Sequence, residues 1–106
     1  MEKLWNNISA RIDNFFFNRH MKRYLKVANE MKLLVDDYLL RHNYKFTSEV
    51  HPDPEPDWPK VDIKVKVSVA TYALVLKVWE EVGNYVYPCF NIDEIRGVFL
   101  SFKLLE

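Results

Sequence analysis

Polar and apolar residues alternate most cleanly between Val61 and Val69. Val61, Ile63, Val65, Val67 and Val69 fall on one side, and Asp62, Lys64, Lys66 and Ser68 on the other. Successive side chains of a strand point to opposite faces, so this stretch reads as a β-strand with one dry and one wet face. A second alternating run covers Tyr44 to Val50, with Tyr44, Phe46, Ser48 and Val50 against Lys45, Thr47 and Glu49. A third covers Val98 to Leu104, with Val98, Leu100, Phe102 and Leu104 on one face. Phe99 is the exception there, an aromatic on the face it shares with Ser101 and Lys103.

Helical spacing takes over between the second and third runs. Tyr72, Val75, Leu76, Trp79, Val82, Gly83 and Val86 form the predicted buried stripe, opposite Lys77, Glu80, Glu81 and Asn84. Residues from Ser68 to Thr71 offer the N-cap, and Pro88 stops the helix. Gly83 on the buried stripe allows close approach to a neighbour. Cys89 to Arg96 reads as a loop and Gly97 as a turn residue.

The first forty residues carry two stripes. Leu4, Trp5, Ile8, Ile12, Phe15 and Phe16 share one face of a helix over about 4–16. Tyr24, Val27, Ala28, Met31, Leu34, Val35, Tyr38 and His42 share one face of a helix over about 20–41. At 100° per residue their centres lie roughly 125° apart. Supercoil drift of ~20° per heptad runs the wrong way to close that gap. The spacing therefore predicts a break between Phe17 and Arg19, with Asn18 as cap. Leu33 and Leu40 lie outside the second stripe and predict a further contact on that side.

The expected order is α-α-β-β-α-β, an α+β domain spanning residues 1–106. The first two strands pair antiparallel. The second and third are joined through a helix, so they run parallel by a right-handed crossover. Asp62, Lys64 and Lys66 suit an edge strand. The first strand then takes the middle of a three-stranded mixed sheet, a split β-α-β arrangement with helices on one face. His51 to Pro59 holds four of the five prolines, three of them (Pro52, Pro54 and Pro56) at alternate positions, and reads as a stiff connector without a ladder.

Composition narrows the function. Hydrophobic residues make up 49% of the 106-residue chain, enough for a core without disulfides or a metal. The single cysteine, Cys89, excludes an internal disulfide and fits a reducing, cytoplasmic setting. No run resembles a signal peptide or approaches the ~20 apolar residues of a membrane span. The absence of glutamine and the two glycines fit a thermophilic composition, and the eight asparagines oppose it. Formal net charge is zero, so no global field draws the chain toward nucleic acid or anionic membrane.

Candidate chemistry is sparse. His20 and His42 sit about 33 Å apart on a helix, so only His20 and His51 have a chance to meet. His51, Asp53, Glu55 and Asp57 resemble a cation loop in composition, but alternate prolines hold their oxygens apart. Trp58 reads as a lid over the core edge. Cys89 reads as a small buried or boundary residue. No Gly-rich phosphate loop, Cys-x-x-Cys pair or nucleophile elbow occurs. No residue is assigned a catalytic, metal or cofactor role. Arg11, Arg19, Lys22, Arg23 and Lys26 cluster beside Phe15–Phe17, a footprint that nucleic-acid sites share. Residues 1–43 carry eight Lys and Arg against five acids and the remainder seven against ten, an imbalance that predicts mutual neutralisation. Phe99, Leu33, Leu40 and Phe17 exceed what one sheet and its helices bury. The expectation is a non-enzymatic, homo-oligomeric interaction or structural module, with nucleic-acid binding through the basic junction as the alternative.

Overall fold

A computed structural model describes residues 2–53 and 59–105, with the backbone alone for residues 2–18. The elements are α1 (Glu2–Arg41), β1 (Phe46–Asp53), β2 (Lys60–Val67), α2 (Tyr72–Val86), a 3-10 turn (Tyr87–Cys89) and β3 (Val98–Leu104). The fold is α+β, with two helices and one three-stranded mixed sheet.

β2 is made by its alternation. Val61, Ile63, Val65 and Val67 are 0–1% exposed, while Lys64 and Lys66 stand in water. Met21, Val27, Ala28, Met31, Val35 and Leu39 of α1 and Val75, Val78, Val82 and Val86 of α2 close over that dry face. At about 25 cal/mol per Å² of apolar surface, this layer is the main favourable term of the fold. The opposite sheet face has no helix on it among the described residues. α1 lies over β1 and β2, and α2 over β3.

β1 pairs antiparallel with β2, and β2 pairs parallel with β3. The strand order is β1-β2-β3, so β2 takes the centre and the split β-α-β expectation is corrected. Charges at 62, 64 and 66 mark an open face, and an open face is wet at the centre of a sheet as well as at its edge. Across the ladder Lys64 stands opposite Glu49 and Asp62 opposite His51, while Lys66 stands opposite Thr47 on one side and Lys103 on the other.

β1 runs further than its alternation implied, through His51-Pro52-Asp53. Lys45 O accepts from Ser68 N–H at 2.8 Å. Antiparallel alternation then turns the odd-numbered residues of β1 toward β2 and leaves the Pro52 nitrogen on the free edge, where its missing donor costs no ladder bond. The prolines and Trp58 between residues 54 and 58 lie outside the described residues.

α1 is one helix, which corrects the predicted break at Phe17–Arg19. No Gly or Pro interrupts Phe17–Lys22. Asn18 costs the helix only about 0.7 kcal/mol of propensity. A change of stripe alters what a helix faces without requiring the backbone to turn. α1 ends in a Schellman motif: Asn43 N–H bonds Leu40 O at 3.2 Å and Tyr44 N–H bonds Leu39 O at 3.0 Å, with Asn43 at φ 61°. Thr71 caps α2, its hydroxyl accepting from Leu74 N–H at 3.3 Å.

Candidate functional site: exposed apolar surfaces

Of the four apolar residues expected at an interface, three fall among side chains the structure describes. Leu33 and Leu40 are 69% and 66% exposed, one heptad apart on the outer side of α1. Phe99 is 46% exposed on the open sheet face. Lys60 Nζ stands 6.0 Å from the Phe99 ring centroid, at the limit of a cation–π contact. The Phe17 side chain lies outside the described residues. The structure thus places these residues on two opposite sides of the domain: Leu33 and Leu40 outside α1, Phe99 on the open face.

A third surface was hidden in the sequence. α2 buries Val75, Val78, Val82, Gly83 and Val86, a face rotated from the expected one. Val78 is inside, whereas Tyr72 and Leu76 are 59% and 48% exposed. Trp79 is half-buried and stacks on Phe102 of β3, with centroids 6.0 Å apart. Tyr85 faces the other way and meets Tyr38 of α1 at 5.2 Å. Tyr87 lies across Gly83, whose missing side chain makes room for the ring. The signal was present in the width of the apolar arc: Tyr72, Leu74, Val75, Leu76, Val78, Trp79 and Tyr85 together span more than one packing face can cover.

The basic cluster is only partly gathered. Arg19, Lys22, Arg23 and Lys26 are exposed on α1, and the Arg11 side chain lies outside the described residues. Arg23 and Lys26 line a cleft of about 620 Å³ together with Glu30, Ile92, Asp93 and Glu94. The carboxylates that offset these cations therefore include the loop before β3 and α1 itself.

The histidines have separate local partners. His20 stacks on Tyr24 at 6.1 Å, His42 lies 4.2 Å from Tyr38, and His51 Nε2 is 2.6 Å from Glu49 Oε2. Among the described residues no group of three His, Cys, Asp or Glu is placed to hold a metal ion. Cys89 is exposed rather than buried, because the 3-10 turn after α2 carries it to the surface, with Sγ 3.6 Å from Tyr85 O. Burial, then the Glu81 carboxylate, pushes the Tyr38 hydroxyl above its usual range. Burial alone does the same to Tyr87. Among the described residues no helix is long and apolar enough to cross a membrane.

The chain matches no family model, no curated protein and no solved structure.

Proposed function

We propose that this chain is a non-enzymatic interaction and structural module that works as a homo-oligomer in the cytoplasm. The observation that supports this reading is the amount of large apolar side chain left in water. Leu33, Leu40, Tyr72, Leu76, Ile92 and Phe99 are each between 46% and 76% exposed. Scattered apolar residues are normal on a protein surface, but clustered ones mark a contact surface. Here Leu33 and Leu40 share the outer side of α1 and Tyr72 and Leu76 the outward flank of α2, with Phe99 on the open sheet face and Ile92 in the loop before β3. Zero net charge leaves no repulsion between copies for that contact to overcome.

The alternative reading, nucleic-acid binding through Arg19, Lys22, Arg23 and Lys26, meets an opposing feature. Glu30, Asp93 and Glu94 share the cleft of Arg23 and Lys26 and repel phosphate. Two measurements separate the readings. Light scattering on a sizing column is expected to give a mass above one chain, and fluorescence anisotropy with labelled DNA and RNA is expected to show no binding at moderate salt. A monomer that binds nucleic acid, with log K falling linearly against log salt, overturns the module reading in favour of the alternative.

A further inference from the structure

We propose that the open face of the sheet is the docking surface of this module, and that its occupant is an extended acidic segment of a partner chain. This rests on the interaction-module reading above and names the surface and the chemistry of the partner.

Strand register lays out the face. Pairing sets three rows of open-face residues across the sheet. The first is His51, Asp62 and Phe99, the second Glu49, Lys64 and Ser101, the third Thr47, Lys66 and Lys103. Lys45 follows one step beyond, its carbonyl accepting from Ser68 N–H at 2.8 Å. Phe46 packs against the core, so strand alternation turns Lys45 to the open side. One end of the face therefore gathers Lys45, Lys64, Lys66 and Lys103, all exposed.

These lysines are placed at a cost to the fold. Lys66 and Lys103 stand side by side on adjacent strands about 4.8 Å apart, and like charges in that relation are destabilising. Glu49 stands opposite Lys64, but its Oε2 lies 2.6 Å from His51 Nε2. None of the four lysines forms an ion pair among the described residues. Thr47 and Ser101 set a hydroxyl beside Lys66 and Lys64. Cations without counter-ions, interleaved with hydroxyls, are complementary to carboxylates of a second chain.

Spacing selects an extended occupant. Lys64 and Lys66 are two residues apart on β2, about 6.6 Å. Carboxylates at every second position of an extended peptide repeat at that same distance. Phe99, 46% exposed, lies four residues before Lys103 on β3, about 13 Å away. An apolar side chain four positions from the acidic pair reaches its ring. Charge separates such a peptide from nucleic acid. Asp62 stands beside Phe99 and Glu49 beside Lys64. A phosphate backbone is charged at every step and meets both carboxylates on its way to the ring. A peptide confines its charge to the lysine end.

Fluorescence anisotropy on the full chain tests this. The probe is a labelled peptide of alternating Glu and Thr closed by one Leu. Its controls are the Lys-for-Glu counterpart and labelled oligothymidylate. The glutamate peptide is expected to bind saturably and the lysine peptide not at all. Lys66→Glu and Lys103→Glu are each expected to weaken binding at least ten-fold. Their denaturant midpoints are expected at or above wild type, because each turns a like-charge pair into an opposite one. Phe99→Ala is expected to weaken binding at least three-fold. Lys77→Glu, on the exposed side of α2, is expected to leave it unchanged. No binding of the glutamate peptide, or wild-type affinity in both glutamate variants, overturns the surface. Oligothymidylate that binds more tightly than the peptide, and is released by the same variants, overturns the peptide assignment in favour of nucleic acid. Sedimentation of the same samples reports on self-association separately. A monomer that binds the peptide removes the oligomer and leaves this surface standing, and a dimer that does not bind it does the reverse.

Discussion

The ring of Tyr24 on α1 occupies the space that a side chain on Gly97 would need. Gly97 has no positive φ, so it serves close approach rather than an unusual backbone angle. Its carbonyl accepts from Val61 N–H, which places the contact where α1 meets the beginning of both β2 and β3. The ring also stacks with His20, one helical turn earlier. Gly97→Ala is expected to destabilise the fold by about 1–3 kcal/mol in denaturant unfolding, the range of overpacking. Adding Tyr24→Ala is expected to make the pair less than additive. Strict additivity contradicts the contact.

Asn43 closes α1 from the left-handed region, at φ 61°. Glycine reaches that region without a Cβ penalty, and a β-branched residue does so at high cost. Asn43→Gly is expected to raise stability by several tenths to about 1 kcal/mol. Asn43→Val is expected to lower it by more than about 1 kcal/mol. Equal midpoints for the two variants contradict the motif.

The phase of α2 is tested by two truncations. Val78 is 3% exposed and Leu76 48% exposed. Val78→Ala is expected to cost about 2 kcal/mol through lost burial and a residual cavity. Leu76→Ala is expected to cost under about 1 kcal/mol at protein concentrations too low for association. The reverse order restores the phase that the sequence alone implied.

Alkaline pH bears on Tyr38. Burial, and then Glu81 and Tyr44, raise its folded pKa above the unfolded value near 10. Its contribution to stability is therefore complete below that value and is lost as pH rises through the raised folded one. Denaturant midpoints above about pH 10 are expected to fall more steeply for wild type than for Tyr38→Phe. Parallel curves contradict the shift.

The strands and the last helix were legible because one covered sheet face imposes a period of two, and one covered helix face a period of 3.6. Val98 to Leu104 is the third strand in both readings. What period does not carry is position. Asp62, Lys64 and Lys66 report a wet face, and that signal is the same at the edge and at the centre of an open sheet, so the strand order was misread. The offset stripes of residues 4–16 and 20–41 report two different surroundings, and one backbone helix serves both. On α2 the apolar arc exceeds one packing face, so the buried part was settled by where α1 and β3 sit. The exposed remainder includes Tyr72 and Leu76. Gly97 was legible as a turn, but its close approach to Tyr24 depends on a helix more than seventy residues earlier in the chain.

Sedimentation equilibrium of the unmodified chain tests the central claim most directly. A self-associating module is expected to approach twice the 12.7 kDa chain mass at high micromolar concentration and to return toward one chain on dilution. A mass of 12.7 kDa at every concentration contradicts it.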